Sequence, residues 1–168
     1  GQKYFLNKAK EQGWDSKLVW TDPFHPGFVL KIDQPSTGGI SDYARIEDFS
    51  TGEVSVQWNT KNGPFERRLF VSRPDNATVL ALRGPQGKLS VTLRMDPIAN
   101  KLIHSSISHS NGWITCQNKY VNGKGGYDGA IRILPHEGTI ACDGSSVQVS
   151  NATAVVLILR IQPWKTPL

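Results

Sequence analysis

An all-β fold, an antiparallel β-sandwich, is what this sequence predicts, and three observations predict it. Apolar and polar residues alternate with a period of two: Val54, Val56 and Trp58 oppose Ser55, Gln57 and Asn59, and Leu89, Val91, Leu93 and Met95 oppose Lys88, Ser90, Thr92 and Arg94. Alternation of this kind marks strands with one face buried and one in water. Turn signals punctuate the chain every ~8–12 residues, the spacing of a sandwich or barrel. The chain also carries 16 Gly and 10 Pro in 168 residues, the composition of a turn-rich globular protein.

Taken in order, residues 2–12 are rich in Lys, Glu, Gln and Ala and predict a short helix capped by Gly13. Its apolar stripe (Tyr4, Phe5, Leu6, Ala9) is thin, so the helix must lean on something. Residues 14–26 are broken by Pro23 and Pro26. Phe28 to Ile32 reads as the first strand, and the Pro- and Gly-containing stretch 33–42 as a loop. The organising segment, Tyr43 to Met95, is a succession of strands (43–49, 53–59, 65–73, 77–82 and 88–95) joined by tight turns at Thr51-Gly52, Asn62-Gly63, Pro74-Asp75-Asn76 and Gly84 to Gly87. Lys101 to His109 then forms a hairpin with residues 112–121 through Asn111-Gly112, a strong hairpin signal. Strands follow at 127–134, 139–142 and 147–149. The last, Ala154 to Ile161, is apolar on both faces and should lie centrally, covered on both sides and ended by Pro163. This gives a leading segment, 1–27, packed on a sandwich of 28–162, with 163–168 as a tail or linker.

One domain is the length prior for 168 residues. No apolar run approaches the ~20 residues that a membrane helix needs. Gly1-Gln2-Lys3 opens with neither an initiator Met nor an apolar leader, and is read as a processed end or a remnant of an expression tag. A surplus of 19 basic over 14 acidic residues gives a net charge of +5. The basic residues are dispersed, however, and no basic patch interleaved with aromatics marks a nucleic-acid partner.

Chemistry is sparse. The four histidines (His25, His104, His109, His136) lie in no catalytic motif, and the five-residue offset of His104 and His109 on a strand sends them to opposite faces. Glu47 and Asp48 are neighbours on a strand and point apart, unlike the paired carboxylates of glycosidases. Gly123-Lys124-Gly125-Gly126 lacks the Ser/Thr and the following helix of a phosphate loop. Cys116 and Cys142 sit in separate strands with no metal-like spacing; buried free thiols and a disulfide both stay open. Asn76 and Asn151 head two sequons, yet both occupy positions that a turn favours. No residue is assigned a catalytic or metal-binding role, and no cofactor is expected. Of the five tryptophans, Trp58 and Trp113 are expected in the core. Trp14, Trp20 and Trp164 fall outside the clear strands and are the candidates for contact with a carbohydrate or a neighbouring domain.

Ser41-Asp42-Tyr43-Ala44-Arg45, Thr51-Gly52 through Val56, and the Phe65 to Asn76 stretch with its Arg67, Ser72, Pro74 and Asp75 resemble the N-terminal β-sandwich domain of glycoside hydrolase family 95, the family of 1,2-α-L-fucosidases and related α-L-galactosidases. Gly87 to Leu93, Gly126-Tyr127-Asp128-Gly129 and Val147 to Val156 resemble its later strands. The likeness spans residues ~25–162 and implies a supersandwich-like fold. That family's catalytic acid and base lie in an (α/α)6 barrel, and no residue here matches them. The resemblance therefore implies a non-catalytic domain that supports a missing catalytic domain of the same polypeptide, in a parent enzyme acting on fucosyl or galactosyl glycans outside the cytoplasm. The alternative is a free-standing carbohydrate-binding module.

Overall fold

A computed structural model describes residues 2–13, 24–35 and 38–165. It is an antiparallel β-sandwich with one short helix, as the alternation predicts. The helix α1 spans Gln2–Glu11, and Gly13 takes a φ of +77° just beyond it. Tyr4, Phe5 and Leu6 are 63%, 71% and 50% exposed. No helix among the described residues is long and apolar enough to cross a membrane.

Among the described residues twelve strands follow: β1 (Val29–Asp33), β2 (Ser41–Asp48), β3 (Glu53–Thr60), β4 (Gly63–Ser72), β5 (Ala77–Arg83), β6 (Leu89–Asp96), β7 (Ile103–Ser110), β8 (Trp113–Tyr120), β9 (Gly125–His136), β10 (Thr139–Cys142), β11 (Val147–Ala152) and β12 (Ala154–Lys165). They form two sheets, one of four strands in the order β1-β6-β11-β10 and one of eight in the order β2-β3-β4-β5-β12-β9-β8-β7. The predicted turns at Gly52, Gly63, Asn76 and Gly112 close hairpins, whereas Gly84 to Gly87 carries the chain from β5 of the large sheet to β6 of the small one. Gly112, at φ +82°, joins β7 to β8, a conformation in which a Cβ would be strained.

The core lies between the sheets. From the small sheet come Leu89, Val91, Leu93, Met95, Val147 and Val149; from the large one come Leu80, Leu82, Ile114, Ile131, Ile133, Val155 and Leu157. All four apolar residues of β6 are buried, as its period of two demands. Four strands, ~4.8 Å apart, cannot roof eight. At the β2 edge the large sheet therefore runs out from under its partner, and every residue of β2 is exposed.

Two expectations for β12 need correction. The strand is central, between β5 and β9, but only one of its faces is roofed: Ile158 is 39% exposed on the other. Nor does Pro163 end it. Pairing with β9 continues to Lys165, while pairing with β5 stops at Leu159. Beyond that point one edge of β12 is open, and an open edge is where a sheet tolerates proline.

Candidate functional site

The unroofed face of the large sheet is divided into an apolar and a polar half, and its layout follows from strand register. One rung crosses five strands as Phe70 (β4), Val79 (β5), Ile158 (β12), Arg132 (β9) and Trp113 (β8). Phe70, Ile158 and Trp113 are 41%, 39% and 43% exposed. Arg132 lies over the Trp113 ring at 5.0 Å and donates from Nη1 to the Gly112 carbonyl at 3.1 Å. This half of the face is apolar with one pinned guanidinium.

Four residues further along β12, or about 13 Å, the chemistry changes. The rung Gln162 (β12), Asp128 (β9), Gln117 (β8) and Ser106 (β7) is wholly polar and exposed. It is flanked on one side by Arg160, Ala130, Thr115 and Ser108, and on the other by Trp164, Gly126, Lys119 and His104. Ala130 and Gly126 are the low points of this surface, because β9 presents its smallest side chains between the long ones of β12 and β8. The outcome is a trough of two adjoining hollows, ≈590 Å³ and ≈440 Å³, that share Ser106, Gln117, Asp128 and Gln162 as lining.

Trp164 forms one wall and is fixed at two points. Its indole Nε1–H donates to Asp128 Oδ1 at 3.0 Å. Its ring also lies against the Gly126 backbone so closely that a Cβ there would meet Cζ2 at 2.6 Å. Gly126 is needed for this contact, since any larger side chain would push the ring away. Beside it, Arg160 Nη2 reaches Gln162 Oε1 at 3.5 Å and Gln162 Nε2 donates to the Pro163 carbonyl at 3.2 Å. The trough thus offers carboxylate, amide, hydroxyl and guanidinium groups beside a preset aromatic ring.

A third hollow, ≈550 Å³, lies behind Trp164 among His25, Tyr120, Tyr127 and Pro163. Its lining combines aromatic and apolar groups with Lys124 and Lys165, and Tyr127 donates to the Gly27 carbonyl at 2.6 Å. At the other end of the sandwich, Trp58 is half-buried against the core, stacked on Phe65 at 5.7 Å with Arg67 over it at 5.3 Å.

The sequence-predicted residues distribute as follows. Trp164 lies in the trough wall, whereas Trp14 and Trp20 fall outside the described residues. Trp58 packs on the core as expected, but Trp113 does not. Its neighbours Ile114 and Cys116 are buried at 0% and 3% exposure, so a period of two turns Trp113 outward. Both cysteines are free, one in each sheet, and burial pushes the Cys116 thiol up from its ordinary value. His104 and His109 occupy opposite faces, the latter accepting from the Met95 amide at 3.4 Å. Gly123 to Gly126 joins strand to strand. Asn76 and Asn151 have φ of +49° and +57°, conformations that asparagine tolerates better than most residues, which accounts for both positions. Sequence reading missed Gln117, Asp128, Arg160 and Gln162. The available signal was their polar character; the β7-β8 hairpin is encoded locally at Asn111-Gly112, but setting β12 beside β9 is a long-range pairing that no local pattern encodes.

A family model described as the N-terminal domain of glycosyl hydrolase family 65 matches residues 7–163. No curated protein matches the chain. Among solved structures, a protein described as a kojibiose phosphorylase from the human microbiome superposes with a TM-score of 0.54 at 10% identity, covering 80% of this chain and 22% of that one. At that identity the likeness shows the fold. The matching family is 65, whereas the strand-and-turn motifs resemble family 95. The two agree on an N-terminal domain of a glycoside-hydrolase-type enzyme. The motif resemblance rests on a pattern of turn and strand residues, from Tyr43 and Arg45 to Pro74-Asp75, and the family match does not support its assignment to family 95.

Proposed function

Because the chain belongs to the glycosyl hydrolase family 65 N-terminal domain family, we propose that it serves as the non-catalytic β-sandwich of a longer glycan-processing polypeptide. In this reading it seats that polypeptide's catalytic domain on the apolar half of its unroofed sheet face. The observation that carries the reading is the rung Phe70, Val79, Ile158 and Trp113. β12 is apolar on both phases, as a strand between two covers would be, yet the small sheet covers one face only. Phe70, Val79 and Ile158 are consecutive along the rung, and Arg132 separates them from Trp113, over whose ring it lies; an exposed apolar row of this kind, bordered by polar groups, is the mark of an interface. In the structural neighbour the matching part is 22% of the chain, so that protein has further polypeptide beside its sandwich.

The test is the size of the native polypeptide, read by blotting source-cell extract with an antibody to this domain. A band several times larger than 18.5 kDa is expected; a band at that mass overturns the reading. The whole polypeptide would then be assayed on kojibiose, with and without phosphate, beside fucosides and galactosides. The fucosyl and galactosyl expectation rests on the motif resemblance, and the family match does not support it. The structural neighbour's name gives reason to include kojibiose.

A further inference from the structure

We infer that the trough between β12 and β7 is a binding site for a neutral pyranose unit of a glycan, with the Trp164 ring as its stacking wall and Gln117, Asp128 and Gln162 as its hydroxyl partners. The inference extends the proposed function by placing a substrate-holding site on this domain. It can be tested on the 168-residue chain whether or not a catalytic domain is attached.

Three features fit this hollow to a pyranose. The first is chemical balance. The Gln162-Asp128-Gln117-Ser106 rung combines two amides, a carboxylate and a hydroxyl, so one row holds both donors and acceptors. A polyol offers the same mixture. Lys119 and Arg160 flank the row while the Asp128 carboxylate sits within it, a mixture of charges that favours a neutral ligand over an anion, and an apolar ligand would strip water from every group in the row. The second is preorganisation. Trp164 is held by its bond to Asp128 and by contact with Gly126, so little freedom is lost when a sugar stacks on it. The third is size. Each hollow, ≈590 Å³ and ≈440 Å³, falls within the range of small-ligand sites. The Asp128 carboxylate has a double task, because the indole N–H occupies Oδ1 and the remaining acceptor capacity is available to sugar hydroxyls.

The experiment is a titration of the ¹⁵N-labelled 168-residue chain with millimolar kojibiose, maltotriose, a fucosylated trisaccharide and a galactobiose, with mannitol as an open-chain polyol control. At least one pyranoside is expected to shift amide resonances of residues 104–106, 117–119, 126–130 and 160–165 saturably, while mannitol does not. Trp164→Ala and Gln117→Ala should each weaken binding about tenfold or more. Asp128→Asn, which keeps an acceptor for the indole but loses the charge, should weaken it less than Trp164→Ala. Trp113→Ala, on the apolar half, should bind as the parent does. Gln117 is a solvent-exposed side chain, so its variant keeps the test valid if Trp164→Ala fails to fold. Absence of a saturable shift with every sugar overturns the inference, as do shifts centred on the hollow around Tyr120 and Tyr127, or full binding by Gln117→Ala. None of these results bears on the native size of the polypeptide.

Discussion

The phenol of Tyr127, on β9, donates to the carbonyl of Gly27 at 2.6 Å and so ties the segment before β1 to a strand a hundred residues later. Burial pushes the phenol's pKa up to about 12, which keeps the donor protonated through the neutral range. Tyr127→Phe should cost about 1 kcal/mol at pH 7, the net worth of one such bond. The pH dependence has a definite sign. The folded state holds this proton more tightly than the unfolded chain, whose tyrosines ionise near pH 10, so the contribution is complete below pH 10 and declines between pH 10 and 12. Urea unfolding at pH 8, 10 and 11 should show the gap between parent and variant narrowing as pH rises.

Val91 is 3% exposed on β6, opposite Val149 of β11. Val91→Asp places a carboxyl group between the sheets with no partner and should destabilise the fold by about 3–5 kcal/mol. Urea unfolding measures this directly. A variant as stable as the parent would mean that β6 is turned over in its sheet.

The two thiols should be distinguishable. Cys116 is 3% exposed in the core with its ionisation suppressed by burial, whereas Cys142 is partly exposed at the small sheet's edge strand, β10. Thiolates, not thiols, react with alkylating agents. Iodoacetamide at pH 8 should therefore label Cys142 on the folded protein, and Cys116 only after denaturant is added, as read by peptide mass.

Phe70 tests the proposed seat of the catalytic domain. Its ring is 41% exposed and stands in the apolar rung with Val79 and Ile158. Phe70→Thr keeps a good strand former, and in the isolated chain it should change stability by less than about 1 kcal/mol. In the whole polypeptide the loss should be larger, and limited proteolysis should release the sandwich faster. Equal effects in both settings would place the interface elsewhere.

Much of the fold was legible because hairpins are local. Alternation in β3 and β6 and the turns at Gly52, Gly63 and Gly112 lie within a few residues of one another, and the strands form where these signals put them. What the sequence withheld was long-range. A short run that is apolar on both phases, such as Ala154 to Leu159, looks doubly covered whether or not a second cover is present in the same chain. Trp113 was misplaced because bulk and apolarity suggested core, while the phase set by Ile114 and Cys116 turned it outward. The trough is assembled from three consecutive strands, β7 to β9, and from β12, which pairs with β9 across the intervening β10 and β11. Trp164 was noticed for its identity, and its partners Asp128 and Gln117 could be grouped with it only once register was known.

The position of β12 has a consequence for how the protein is made. It follows every other described strand in chain order, yet it sits in the middle of the large sheet, with β5 on one side and β9 on the other. As the chain leaves the ribosome, β2 to β5 and β7 to β9 can each form a partial sheet, and each must wait with a bare edge facing the gap. Two unpaired edges in one nascent chain are templates for pairing with the wrong strand or a neighbouring chain. The final strand acts as a keystone rather than a border, so the yield of native protein should depend on how quickly residues 154–165 are delivered.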